Sequence, residues 1–116
     1  METQVINLED GRPFVDQAIR RLTYELNAAK RRNVPVLKLI HGYGSSGTGG
    51  RIRVEVRKYL SICKKTGLVE EFIEGEKFDI FDARTQKALQ KYTFLSKDRD
   101  LQRSNNGVTV VLINIK

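Results

Sequence analysis

Tryptophan is absent from this chain of 116 residues, and cysteine, histidine and methionine occur once each. A single cysteine permits no intrachain disulfide and argues against the bridged scaffolds of small secreted domains. With one Cys and one His, a classical zinc site lacks ligands. The strongest apolar run, Val108–Ile113, is short and includes Thr109; a membrane span needs about 20 apolar residues. No signal-peptide apolar core is visible. The expectation is a soluble, cytoplasmic chain forming one domain over residues 1–116, with no metal centre, no membrane partner and no indication of oligomeric state. A chain of this size buries roughly 60–70% of its unfolded surface, so one real core is within reach.

What is plentiful is positive charge. Lys and Arg number 21 against 14 Asp and Glu, a net of +7. Residues 1–66 hold 13 basic and 6 acidic side chains, whereas residues 67–116 hold 8 of each. The surplus lies in two clusters: Arg20, Arg21 and Lys30-Arg31-Arg32, and then Arg51, Arg53, Arg57, Lys58, Lys64 and Lys65 opposed only by Glu55. Such clusters fit a polyanion partner, although solvated helix faces look the same in sequence. The neutral remainder is not expected to face a polyanion.

Hydrophobic periodicity orders the chain. Val5–Leu8 reads as a strand and Glu9–Pro13 as a turn. Val15, Ile19, Leu22 and Leu26 form one helical stripe ending near Asn33. Val36–Ile40 is a strand apolar enough to be central in a sheet. Residues 41–50 hold five of the nine glycines. A second helix buries Ile52, Val56, Tyr59, Leu60 and Cys63 and stops at Gly67. Val69–Ile73 reads as a strand that Lys77–Phe81 could pair with, and Asp82 as the N-cap of a short helix, Ala83–Tyr92. Asn106-Gly107 is turn chemistry before the last strand. Alternating strands and helices indicate an α/β layer structure.

The glycine stretch is the candidate site. Between a strand and a basic helix, glycines let backbone approach an oxygen, and the first N–H groups of the helix lack partners. Gly42-x-Gly44-x-x-Gly47 matches the dinucleotide fingerprint in form, but no acidic residue follows about 20 positions on at a strand end. A P-loop needs Lys-Ser/Thr after its last glycine, where Arg51-Ile52 stands. A phosphate cradle is the better reading. Arg51 and Arg53 at the helix start oppose the helix dipole, and a bound phosphate would offset that cost. His41, at the carboxyl end of the strand, could donate to a phosphate, act as a base, or merely order the loop. Tyr43 could stack on a base or anchor the loop.

Ile40-His41-Gly42-Tyr43-Gly44, the Thr48-Gly49 step and the basic helix after it resemble the His-Gly-x-Gly and Thr-Gly signature of the Smr (small MutS-related) domain. Ile6-Asn7-Leu8-Glu9 sits where that family has its Leu-Asp-Leu-His/Arg motif. Val69-x-x-Phe72 and Gly107–Val111 resemble its last two strands. The match covers about 1–73 and 106–116. It implies a two-layer β-α-β-α-β-β sandwich with a four-stranded mixed sheet, similar to the C-terminal domain of translation initiation factor 3. Residues from about 74 to 105 would be an insertion before the last strand. It also implies DNA or RNA binding and, as in several members, a nicking endonuclease activity. Candidate catalytic positions are then His41, Glu9 and Asn7. Candidate phosphate contacts are Gly42, Tyr43, Gly44, Thr48, Gly49, Arg51, Arg53, Arg57 and Lys58.

Two departures weigh on chemistry. Asn7 stands where the family has Asp, and an amide is no general base. Glu9 stands where the family has His or Arg; it or Asp10 could serve as the carboxylate, or hold a magnesium ion, which needs only one or two protein oxygens. A non-catalytic binding or protein-interaction module is therefore the rival reading. Cys63 is expected in the core. Asp79 and Asp82 read as turn and cap rather than metal ligands. Phe78, Phe81, Tyr92 and Phe94 are expected to pack the inserted segment.

Overall fold

The computed structural model describes residues 2–42 and 48–115. In chain order the elements are β1 (Thr3–Asn7), α1 (Val15–Arg31), β2 (Val36–Ile40), α2 (Thr48–Thr66), β3 (Val69–Glu74), α3 (Ala83–Lys91) and β4 (Val108–Ile113). Two 3₁₀ turns, Gly75–Lys77 and Thr93–Lys97, flank α3. The sheet order is β1-β2-β4-β3, with β1 parallel to β2 and β4 antiparallel to both of its neighbours. The α/β class and the four-stranded mixed sheet follow the sequence reading.

Helix boundaries have local causes. Gln17 Oε1 accepts from the Phe14 amide, satisfying an orphan donor at the start of α1. Asn33 ends α1 with φ +56 and Gly67 ends α2 with φ +90, the left-handed step common at helix C-termini. Asp82 caps α3 by accepting from the Arg84 and Thr85 amides.

The β2 and β4 strands are central, and their alternate residues face two cores. Leu37, Leu39, Val111 and Ile113 join Leu22, Leu26, Ile52, Val56, Leu60 and Cys63 under α1 and α2. Each fully buried leucine contributes roughly 2 kcal/mol. On the other face, Val36, Val110 and Leu112 meet Phe78, Ala88 and Leu95 from the 75–105 segment. A bulge between Val69 and Glu71 breaks the alternation of β3. It turns Val69 into the first core and Ile73 into the second.

Lys77–Phe81 does not pair with β3. The partner of β3 is β4, and the chain leaves the sheet at Gly75, where any Cβ would collide with Asn105 O and Val108. Phe78 then drops into the second core.

Lys38, in the middle of β2, points to that second face and is buried among hydrophobic residues. Its Nζ lies 2.6 Å from Asp98 Oδ1 and 2.7 Å from Asp100 Oδ2. Burial alone would raise the Asp100 carboxyl. Hydrogen bonds from Lys38 and Asn105 outweigh it and hold the group below its ordinary range.

Candidate functional site

The strand directions bring the sequence candidates to one end of the sheet. Parallel β1 and β2 end there at Asn7 and Ile40, β3 ends there at Glu74, and antiparallel β4 begins there at Val108. The N-terminus of α2 starts shortly after β2, at Thr48. Gly107 O ties the corner together by accepting from both the His41 and Gly42 amides at 3.0 Å.

His41 is fully buried at this corner. Its Nδ1 lies 2.8 Å from Gly42 O, and its Nε2 lies 2.8 Å from Thr109 Oγ1. A carbonyl oxygen only accepts, so the proton sits on Nδ1, and Nε2 accepts from the Thr109 hydroxyl. That hydroxyl in turn accepts from Arg57 Nε at 3.1 Å. Burial, with Arg57 and Arg53 nearby, pushes the ring down to about 4 against the opposing Gly42 hydrogen bond. The imidazole is therefore neutral at pH 7 with both nitrogens engaged. Of the three roles considered for it, ordering the glycine loop fits this geometry best.

Arg57 is equally committed. Its guanidinium grips Glu76 through two 2.9 Å hydrogen bonds and donates to Val108 O. Such a bidentate pair leaves little of the fork for a phosphate. Burial would raise the Glu76 carboxyl, but the Arg57 contacts hold it low. Gly42 O, His41, Thr109, Arg57 and Glu76 thus form one continuous polar chain joining β2, β4, α2 and the turn after β3.

Glu9 comes to the same corner from the other side. Gly42 has φ +73, and a Cβ built on it would sit 2.6 Å from both Glu9 carboxylate oxygens. Glycine is needed there twice over, for conformation and for space. Asn7 Oδ1 accepts from the Glu9 amide at 2.9 Å, which shapes the turn that delivers the carboxylate.

Among the phosphate candidates, Arg51 and Lys58 are exposed and Arg53 half-buried on α2, whose first turn carries no acidic residue. Tyr43 and Gly44 lie outside the described residues. Thr48 and Gly49 contribute the first backbone turn of α2. Among the described residues, no group of three or more His, Cys, Asp or Glu side chains is placed to hold a metal ion.

The chain can now be set beside known proteins. No protein-family profile and no curated protein sequence matches it. The crystal structure of the Smr domain of Thermus thermophilus MutS2 superposes with a TM-score of 0.56 at 20% identity, covering 97% of this chain and 98% of that one. The fold is that of an Smr domain.

Two features escaped the sequence reading. The Thr109–Arg57–Glu76 chain gave no signal, because its members are distant in sequence. Lys38 did give one: a lysine inside Val36–Ile40 demands buried carboxylates. No helix is long and apolar enough to cross a membrane among the described residues.

Proposed function

We propose that this chain binds DNA or RNA through phosphate contacts at the N-terminus of α2. The observation that carries the reading is the start of that helix: it follows a glycine-rich stretch, it has no acid in its first turn, and Arg51 and Arg53 stand there against the helix dipole. Gly42, Tyr43, Gly44, Thr48 and Gly49 supply the approach for a phosphate, and Arg51, Arg53 and Lys58 the charge. His41, Arg57 and Asn7 hold the corner in shape. The Smr fold supports the same reading. The cytoplasm, where nucleic acid is accessible, is the compartment it suits.

The test is binding of labelled stem-loop RNA and branched DNA across a salt series. With about five phosphates neutralised, log K falls against log salt with a slope near −4.5. A slope near zero would exclude phosphate-led binding.

A second reading, nicking by phosphodiester hydrolysis, is favoured by one observation: the Glu9 carboxylate rests against Gly42. A carboxylate beside a phosphate loop repels an anion unless a cation or a proton transfer intervenes. Magnesium held by Glu9 or Asp10 together with the substrate phosphate suits so sparse a donor set, since that ion keeps most of its waters. With the ion on Asp10, magnesium would stabilise charge on the phosphate, and Glu9 would accept a proton from the attacking water as its oxygen bonds phosphorus and the P–O bond to the leaving strand breaks. Glu9→Gln should then abolish nicking of branched DNA while binding persists. If wild-type protein leaves every substrate intact with magnesium present, the hydrolytic reading is lost and the binding one stands.

A further inference from the structure

Large apolar side chains stand in water at several separate points, and what distinguishes them is the backbone beneath. Phe81, expected to pack the inserted segment, is instead 85% exposed, on a turn whose amides are already bonded to Asp79 and Gln102. Val5 is 55% exposed on an edge strand of the sheet. An edge strand offers its unpaired N–H and C=O groups to any other strand, and proteins block such edges with bulges, charge and covering side chains. The two edges of this sheet are treated differently. β3 is blocked in each of these ways. It carries Glu70, Glu71 and Glu74, and a bulge lies between Val69 and Glu71. Phe72 turns its amide and carbonyl outward, and both are taken, by Glu71 Oε2 at 3.3 Å and Arg84 Nη1 at 3.1 Å. β1 is open. Thr3–Asn7 holds no charge, proline or glycine, and its five residues pair with β2 in unbroken register. The Leu8 amide donates to Ile40 O. Parallel pairing then turns the N–H and C=O groups of Gln4 and Ile6 towards β2 and those of Thr3, Val5 and Asn7 outward. Among the described residues, only the Asn7 carbonyl of that outward set is capped, by Arg21 Nη1 at 2.9 Å.

The open edge suits a second copy of itself. When it is laid antiparallel on that copy about a two-fold axis through Val5, each outward N–H meets a carbonyl. Val5 comes to lie against Val5 of the second copy, which takes its exposed methyls out of water, and Thr3 faces Asn7. Charge agrees with the same register. Ile6 points into the core beneath α1 and α2, so strand alternation puts Glu2, just before β1, on the helix side. Arg21 reaches the strand from that side, at Asn7. The two-fold therefore brings Glu2 of one copy beside Arg21 of the other, twice. Within the chain, Arg21 has a carboxylate only at 3.8 Å, from Glu25, and the Glu9 carboxylate is turned in against Gly42. An unrelated strand would satisfy the edge hydrogen bonds, but symmetry would not deliver an acid to that arginine.

We propose that β1 is a dimerisation edge, through which two copies pair antiparallel about Val5 and join two four-stranded sheets into one. The blocked β3 edges stop the assembly at two. Both helix layers lie on one side of the joined sheet, and the two α2 N-termini lie towards its opposite ends. The dimer goes beyond the nucleic-acid reading and does not rest on it.

Sedimentation equilibrium and amide hydrogen exchange on the whole chain, over a wide concentration range, test it. Wild type should pass from monomer to dimer, and exchange at the Thr3 and Val5 amides should slow as it does. Val5→Lys sets like charges face to face and should weaken the dimer about tenfold. Arg21→Glu should weaken it too, and Glu2→Arg added to it should restore wild-type association, since acid and base have only changed places. Thermal unfolding of each variant at monomer concentrations checks that it is folded. A wild type that stays monomeric at every concentration would overturn the dimer. So would a dimer indifferent to Val5→Lys, or an Arg21→Glu loss that Glu2→Arg leaves unrepaired. Slowed exchange at Val5 in a monomer that has captured an added extended peptide would make the edge a site for another chain, and would overturn the second-copy assignment.

Discussion

Residues 1–66 and 67–116 differ by seven units of charge in sequence, yet they do not differ that way on the surface. Of the eight acids in the second region, seven are ion-paired: Glu70, Glu71, Glu74, Glu76, Asp82, Asp98 and Asp100. Three of the cations that pair with them, Lys38, Arg57 and Lys64, belong to the first region. The neutral half therefore turns four of its carboxylates, Glu71, Glu76, Asp98 and Asp100, to the basic half. Lys77, Lys87, Lys97, Arg99 and Arg103 are left without a carboxylate partner among the described residues. Positive surface extends across both regions, and the 75–105 segment cannot be set aside as a nucleic-acid surface on the ground of net charge. Charge counted along a chain gives the far field; the near field depends on who pairs with whom.

The comparison can be broken at its strongest link first. Lys38→Met leaves the largely buried carboxylates of Asp98 and Asp100 without their cation, and should cost about 3–5 kcal/mol in urea unfolding. Adding Asp98→Asn and Asp100→Asn should recover most of that loss. A single mutant as stable as wild type would mean that the two regions are not joined by this triad.

Next comes pH. The His41 ring is held at about 4 in the folded chain, against about 6.5 when unfolded. Above 6.5 both states are neutral and the contribution is complete. As pH falls towards 4, the unfolded chain takes a proton that the native one refuses, and stability drops by roughly 3 kcal/mol. His41→Gln should flatten the stability curve between those limits, measured relative to wild type by denaturant titration at each pH.

Arg57 and its helix neighbours should separate the two uses of basic charge. Glu76→Gln should lose about 1–2 kcal/mol of stability and, by releasing Arg57, strengthen polyanion binding a few-fold. Arg51→Ala with Arg53→Ala should leave stability unchanged and flatten the salt slope by roughly 2. If removing Arg57 changed the slope and spared stability, the division drawn here between structural and phosphate-facing arginines would be wrong. The smallest effect belongs to Phe81→Ala, which should stay within about 0.5 kcal/mol of wild-type stability, because the ring covers nothing.

Much of the fold was legible. The stripe through Leu22 and Leu26, the apolar Val36–Ile40 strand, the Gly67 stop and the Asp82 cap each depend on neighbours within a turn or two, and each came out as the residues suggested. The glycine stretch and His41 were legible as a candidate site because the Smr-like motif is contiguous. The Lys77–Phe81 strand was misread for a local reason. Its residues alternate well enough, but β3 pairs with β4, and the chain turns out of the sheet at Gly75, which lies hard against Asn105 and Val108, and carries Phe78 into the second core.

The sequence by itself determined the order of elements apart from Lys77–Phe81, the α/β class, the central position of β2 and the glycine–arginine junction at the start of α2. These are local patterns of apolar spacing and turn chemistry. Only the tertiary structure decided that His41 is buried and neutral, that Arg57 answers Glu76 rather than a phosphate, that Glu9 lies against Gly42, and that Phe81 faces water. Each of these depends on residues brought together from separate elements, where burial and pairing, not residue type, set the chemistry.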